Sequence, residues 1–178
     1  EMAEHPDYDE WWRARDTRRA CYNIRPAMLV VGGTFDAEDC YGAWNLYKAV
    51  LRQSARTPLH LVVGPWAHGA WRGDGRTLGD FDFGEEASGA YYMEHFEAPF
   101  FDCYLWARDT VDRLPPVAAF SSGDNRWHTF GRWTPSEARK LTLYLADGGR
   151  ITTEKPTVKN SSTSYTSDPA DPVPYIAT

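Results

Sequence analysis

One aspartate and one histidine stand at equivalent places in a repeated pattern, Asp36 soon after one apolar run and His68 soon after the next. An imidazole can remove a proton from a serine hydroxyl, and a carboxylate beside it holds the ring in the required tautomer and stabilises the imidazolium. Asp36 and His68 therefore have the residue types of the carboxylate and the base in a Ser-His-Asp triad. Their spacing also fits a less specific alternative, in which Asp36 begins a helix and His68 lies on the surface.

A strand-helix-strand pattern would position these two residues. Residues 28–31 form a continuous apolar run, and residues 59–63 form another that only His60 interrupts. Each run is followed by a glycine, and such runs are typical of strands covered on both faces. Between the runs, apolar residues recur at the spacing of an amphipathic helix. They are Cys40, Ala43, Trp44, Tyr47, Val50 and Leu51. The pattern predicts a βαβ unit with Asp36 and His68 at the carboxyl edge of a parallel sheet, where open α/β sheets place their chemistry.

The residues around Asp36 and His68 form two motifs that resemble a known family. The first is Gly-Gly-Thr-Phe-Asp-Ala-Glu-Asp at residues 32–39, and the second is Gly-Pro-Trp-Ala-His-Gly at residues 64–69. They resemble the motifs G-G-x-[FYW]-D-x-E-D and G-P-W-x-H-[GS] of the cocaine esterase / X-prolyl dipeptidyl-peptidase (CocE/NonD) family of serine hydrolases. The nearest branch is that of the α-amino-acid ester hydrolases and cephalosporin acylases. Stretches at residues 5–12, 99–105 and 168–174 resemble further segments of that branch, so the resemblance covers nearly the whole chain.

This resemblance implies a fold, a domain organisation and a set of site residues. It implies an α/β fold, in which residues 1–113 form the C-terminal part of an α/β-hydrolase domain with the end of a cap region. Residues 114–178 would begin a C-terminal jelly-roll β-sandwich. Asp36 and His68 would be catalytic, and Glu38 and Asp39 would form an acidic cluster that receives the α-amino group of the substrate.

The nucleophile of such a triad is missing from the sequence. No serine has a glycine both two residues before it and two residues after it, so there is no G-x-S-x-G nucleophile elbow. Two parallel strands also cannot bury both of their faces alone, so further strands and helices must cover them. We therefore expect the chain to be the C-terminal part of a larger enzyme, with the serine upstream, and to be inactive by itself.

Composition limits the partners of the protein. A net charge of −6 over 178 residues argues against nucleic-acid binding, and no apolar run is long enough for a transmembrane helix. We expect no cofactor, because there is no phosphate-binding glycine loop and the three cysteines lack metal-ligand spacing. The expected substrate is a small ester or amide or a short peptide, and the full-length enzyme is expected to be a homo-oligomer. Composition leaves the compartment open, whereas the resemblance favours a periplasmic or secreted protein.

The remainder of the chain suggests a loop, a helix and several strands. Residues 69–84 are rich in Gly and Asp and predict a loop over the active-site edge, and residues 85–107 predict a helix kinked near Pro99. Pro115-Pro116 suggests a domain boundary. Beyond it, residues 117–120, 127–130 and 140–145, together with Tyr165, predict short strands of the β-sandwich.

Two other functions compete with the hydrolase. The β-rich C-terminal part and the eight tryptophans would also suit a non-catalytic module that binds carbohydrate or protein. Alternatively, Asp36, Glu38, Asp39 and His68 could bind a divalent metal ion, since three carboxylates and an imidazole suit a hard cation. The first alternative leaves the pairing of Asp36 with His68 unexplained, and the second lacks a recognised ligand spacing.

Overall fold

A computed structural model describes residues 1–107, 114–158, 160 and 162–173 of the chain. The chain divides into two compact units, Glu1–Trp133 and a second unit that begins at Thr134. The helices are α1 (Glu10–Arg15), α2 (Cys40–Gln53), α3 (Gly89–Tyr92) and α4 (Ala98–Trp106). The strands are β1 (Met28–Gly33), β2 (Leu59–Gly64), β3 (Thr77–Leu78), β4 (Phe81–Asp82), β5 (Val117–Ser121), β6 (Arg126–Phe130), β7 (Tyr144–Ala146) and β8 (Arg150–Thr152).

The first unit is built on a mixed sheet with the strand order β1-β2-β5-β6 across the part of the chain that is described. β1 and β2 are parallel and in register from the pair Met28–Leu59 to the pair Gly33–Gly64, with α2 between them in the sequence. This confirms the predicted βαβ unit and the α/β fold. The loops that follow β1 and β2 therefore leave the sheet at the same edge.

The strands after Pro115-Pro116 join this sheet, which differs from the domain boundary suggested by the sequence. β5 pairs with β2 in parallel, and β6 pairs with β5 in the antiparallel sense. The carbonyl oxygen of Pro116 accepts a hydrogen bond from the Leu61 N–H, and that of Pro115 lies 3.0 Å from Nδ1 of His60. The proline pair is thus part of the sheet, and the first unit extends about twenty residues past residue 113, to Trp133.

Side chains cover both faces of the central strands. On one face, Leu61 and Val63 of β2 pack with α2 through Ala43 and Tyr47. On the other face, Val62 lies in a cluster with four more buried residues. Those residues are Trp66, Tyr92, Phe96 and Ala118. Leu61, Val62 and Val63 are all buried, which explains why the sequence shows an unbroken apolar run and not an alternating one.

The predicted helix over residues 85–107 is present but irregular. A short 3-10 turn at Glu85–Ala87 precedes α3, and a π-helical turn at Met93–Glu97 joins α3 to α4. Pro99 lies in the first turn of α4, where a missing backbone N–H is tolerated. The irregularity therefore lies one turn before the proline, and not at it.

The second unit contains a single described hairpin, in which β7 pairs antiparallel with β8. The strand predicted at residues 140–145 is limited to its end, because β7 begins only at Tyr144, and Leu141 and Leu143 are exposed. Tyr165 is also exposed and lies outside any strand. The jelly-roll architecture stays a prediction. In the described part of the chain, no helix has the length and apolar character needed to cross a membrane.

A close backbone contact at Gly33 allows a test of the fold. A Cβ atom at Gly33 would overlap the carbonyl oxygen of Trp66 and lie 2.8 Å from its carbonyl carbon, so the main chain itself would have to move. We predict that Gly33→Ala lowers the free energy of unfolding by about 1–3 kcal/mol, the usual cost of overpacking. Urea denaturation followed by tryptophan fluorescence measures this. Gly131→Ala is the matched control, because no atom lies within 4 Å of its added Cβ. Equal stability of the two variants would contradict the prediction.

Candidate active site

Asp36 and His68 meet at the carboxyl edge of the sheet. Nδ1 of His68 lies 3.0 Å from Oδ2 and 3.2 Å from Oδ1 of Asp36. The Asp36 side chain is only 3% exposed, whereas that of His68 is 57% exposed. An ionised carboxylate can only accept a hydrogen bond, so Nδ1 must carry the proton. The structure therefore brings the two residues together as the sequence predicts.

Asp36 also organises the turn that leads into α2. Its Oδ1 accepts hydrogen bonds from the backbone N–H groups of Glu38 and Asp39, both at 2.9 Å. The less specific alternative, in which Asp36 begins the helix, is not what the structure shows, because α2 begins at Cys40 with no side-chain cap. The Asp36 side chain bonds both the turn before α2 and the imidazole, so its position is fixed from two sides.

The surroundings of the pair shift both pKa values in the direction that favours charge. Burial tends to raise the pKa of Asp36, but the hydrogen bonds from the Asp39 and Glu38 backbone and from His68 outweigh it and leave the pKa lowered. The hydrogen bond to Asp36 raises the pKa of His68, with smaller contributions from the charges of Asp36, Glu38 and Asp39. The site therefore holds an ionised carboxylate that stabilises the protonated form of the imidazole.

The orientation of the ring defines what it can do. Since Nδ1 faces Asp36, Nε2 on the opposite side of the ring is the nitrogen that can accept a proton. The exposure of His68 leaves that side accessible. A hydroxyl group within hydrogen-bond reach of Nε2 would be activated as a nucleophile. The geometry is that of the Asp-His half of a triad.

Glu38 and Asp39 lie beside this pair with exposed side chains. Asp39 directly precedes α2 but makes no side-chain capping hydrogen bond there. Its carboxylate lies over Gly42 instead, where a Cβ atom would overlap it. The two carboxylates are therefore open to solvent near His68, and their role in substrate binding stays a prediction.

A metal site at these four residues is not supported by the geometry. The Asp36 carboxylate already accepts two backbone hydrogen bonds and faces the imidazole. Among the residues described, no three or more His, Cys, Asp or Glu side chains are grouped so that they could bind a metal ion. The predicted acid-base pair explains the arrangement better than the metal alternative does.

A second cluster of polar side chains joins the turn between β5 and β6 to the two strands. Asp124 accepts hydrogen bonds from Ser121 and from His128, whose Nε2 lies 2.9 Å from Oδ2. These contacts, with that from Ser121 the larger, lower the pKa of Asp124. A triad needs the histidine between serine and aspartate, whereas here the aspartate lies between the other two. The cluster therefore stabilises the turn.

Sequence reasoning missed the part of Trp66 in forming the site. Trp66 is fully buried, and its carbonyl oxygen accepts a hydrogen bond of 3.1 Å from the Phe35 N–H, directly before Asp36. It also lies two residues before His68, so one residue links both loops. Trp71, on the loop that follows His68, packs against Trp66. The motif containing Trp66 was visible in the sequence, but its backbone contact to the other loop was not.

Comparison with known proteins finds related sequences. Residues 1–70 match the family model of X-Pro dipeptidyl-peptidase (S15 family). The chain is 25% identical over 189 residues to cocaine esterase of Rhodococcus sp. (strain MB1 Bresler), and the match covers 99% of this chain and 31% of that protein.

Two solved structures are similar along almost the whole chain. An aminopeptidase from the marine sediment archaeon Thaumarchaeota archaeon is 36% identical with a TM-score of 0.85, covering 98% of this chain and 29% of that one. An α-amino acid ester hydrolase labelled with selenomethionine is 31% identical with a TM-score of 0.77, covering 98% and 30%. The chain thus spans less than a third of the length of each of these three relatives.

The bond between Asp36 and His68 predicts a measurable titration. The pKa of His68 should lie above 6.5, its ordinary value, and Asp36→Asn should lower it, because the carboxylate that stabilises the imidazolium is lost. NMR titration of the histidine ring protons measures both. Asp124→Asn, in the other His-Asp pair, is the control and should leave the pKa of His68 unchanged.

The same bond gives a pH dependence of stability. Because folding raises the pKa of His68, its contribution to the free energy of unfolding is fully present below pH 6.5 and is lost as pH rises through the folded-state pKa. Asp36→Asn should flatten that part of the curve. An Asp36→Asn variant with an unchanged His68 titration would contradict the assigned hydrogen bond.

Proposed function

Because this chain belongs to the cocaine esterase / X-Pro dipeptidyl-peptidase family, we propose that it supplies the aspartate and histidine of a serine hydrolase that cleaves esters, amides or peptides. The observation that carries the proposal is the bond between Nδ1 of His68 and the buried carboxylate of Asp36. The serine would come from polypeptide upstream of this chain. Membership of a family of hydrolases supports the reaction class, and the pair supports the assignment of residues.

The two residues would have separate parts in the reaction. His68 would take the proton of the serine hydroxyl at Nε2 while the serine oxygen attacks the carbonyl carbon of the substrate. It would then give that proton to the leaving group, and an acyl-enzyme would form. Water would attack the acyl-enzyme with His68 again as the base. Asp36 would stay ionised throughout and stabilise the imidazolium formed at each step.

The proposal predicts that hydrolysis depends on sequence outside this chain. The chain alone should not turn over an activated ester, whereas the full-length protein should. In the full-length protein, His68→Ala should lower kcat on the order of a millionfold, and Asp36→Asn roughly ten-thousandfold, as in triads generally. His128→Ala is the control, because His128 lies on β6 and belongs to the other His-Asp pair. Turnover by the chain alone that His68→Ala abolishes would mean that the nucleophile lies within it.

We further propose that the substrate has a free α-amine that binds at Glu38 and Asp39. Three carboxylates within four residues, counting Asp36, repel one another, and this repulsion is relieved when they share a cation. A protonated amine would be such a cation and would form charge-assisted hydrogen bonds. The exposure of both side chains, and the position of Asp39 over Gly42, leave the carboxylates available to a ligand. The similarity to an α-amino acid ester hydrolase supports the same substrate class.

This preference can be measured by comparing matched substrates. In the full-length protein, Glu38→Gln and Asp39→Asn should each reduce kcat/KM for an α-amino ester by roughly 1.5–3 kcal/mol, the value of a charged hydrogen bond. The des-amino analogue should be affected much less. Gly42→Ala should act in the same direction without changing any charge, because the added Cβ displaces the Asp39 carboxylate.

A surface carboxylate distant in the sequence provides the control for this comparison. Glu94→Gln removes an exposed charge from the π-helical turn and should leave both substrates unaffected. Equal losses of kcat/KM on the amino and des-amino substrates in Glu38→Gln and Asp39→Asn would contradict the proposal. They would mean that the two carboxylates only favour the start of the helix.

A further inference from the structure

Two tryptophan side chains bind to two consecutive backbone carbonyls. Nε1 of Trp66 donates to the carbonyl oxygen of Ala87 at 2.6 Å, and Nε1 of Trp127 donates to that of Glu86 at 2.8 Å. Both acceptors belong to the 3-10 turn Glu85–Ala87, which we call the carbonyl turn. The centroids of the two indole rings are 5.8 Å apart. The carbonyl turn is therefore held by an indole from the site loop and by another from β6.

Trp66 is connected to both loops that carry the acid-base pair. Its ring lies against Gly64, where a Cβ atom would overlap the indole. Its carbonyl oxygen holds the N–H of Phe35, the neighbour of Asp36, and it precedes His68 by two residues. Any shift of Trp66 would therefore alter the relative positions of the two catalytic loops.

Trp127 lies on β6, far along the chain from either loop. It faces Phe120 across the β5–β6 pair and packs against Phe96, with a centroid distance of 4.8 Å. Its indole N–H nevertheless bonds to the residue adjacent to the one that Trp66 binds. The buried side chain of Ala87 leaves that turn little room to move. Trp127 thus connects β6 to the same turn that the Trp66 indole binds.

We propose that Trp127 is a positioning residue for the Asp36–His68 pair, acting through the carbonyl turn and Trp66. Its indole N–H keeps Glu86 in place, the adjacent Ala87 carbonyl keeps the Trp66 ring in place, and the Trp66 backbone keeps the two loops at the distance that their hydrogen bond needs. The catalytic consequence rests on the proposed serine hydrolase function. The geometric consequence, which is the position of His68 relative to Asp36, does not depend on that function.

The variant that tests this proposal is Trp127→Phe, which keeps an aromatic ring but removes the N–H donor. NMR titration of this chain should show the pKa of His68 moving down towards 6.5, because the bond to Asp36 that raises it is weakened. In the full-length protein, kcat should fall on the order of ten- to a hundredfold with little change in KM, since small displacements of catalytic groups have effects of this size.

Trp133→Phe is the matched control. Trp133 packs against Trp44 and Phe130 in the cluster on the other face of the sheet, so its loss should leave the His68 titration and kcat unchanged. If Trp127→Phe does not fold, Phe96→Leu provides a second route, because it loosens the packing of Trp127 and should shift the His68 titration in the same direction.

Three outcomes separate this proposal from the function on which its catalytic consequence rests. A folded Trp127→Phe variant with wild-type His68 titration would overturn the positioning role, even if its stability were reduced. A shifted titration supports the role whether or not the full-length protein hydrolyses esters. Absence of any His68-dependent hydrolysis in the full-length protein would overturn only the proposed function.

Discussion

The close approach of two backbone segments at Gly33 and Trp66 is the constraint on which the site depends. β1 and β2 are in register up to the pair Gly33–Gly64, and hydrogen bonds between the main chains continue past the strands, from the Thr34 N–H to Gly64 and from the Phe35 N–H to Trp66. The distance between Asp36 and His68 is thus set by the backbone, before the attraction of their side chains contributes. A contact of this kind is rigid, because its atoms cannot change rotamer.

Asp36 can be buried in its ionised form only because its carboxylate accepts several hydrogen bonds. An isolated buried charge would be protonated or would destabilise the fold by several kcal/mol. Here two backbone N–H groups and an imidazole N–H supply the hydrogen bonds that water would have made. His68, in contrast, stays largely in contact with solvent. The pair therefore combines a fixed, ionised carboxylate with an imidazole that is open to solvent.

Local patterns predicted some features of this structure and could not predict others. The βαβ unit and the meeting of Asp36 with His68 followed from apolar runs and from the common edge of parallel strands. The membership of β5 and β6 in the same sheet did not, because a short apolar run after Pro115-Pro116 carries no information about which strand it will join. The sequence also could not predict the link from Trp127 to the site. The indole N–H donates to a backbone carbonyl of a distant segment, and a bond of this kind has no signature in the sequence.

The two uses of the Asp36 carboxylate affect how relatives of this chain should be interpreted. One of its oxygens holds the turn that leads into α2, so a protein that had lost its hydrolase activity would still be under selection to keep an aspartate at this position. Retention of Asp36 in a relative could therefore reflect a requirement for folding as much as a requirement for chemistry. The His68 side chain bonds to Asp36 and does not hold a turn in this way. Its loss or retention would therefore be the better indicator of whether a relative is still an enzyme.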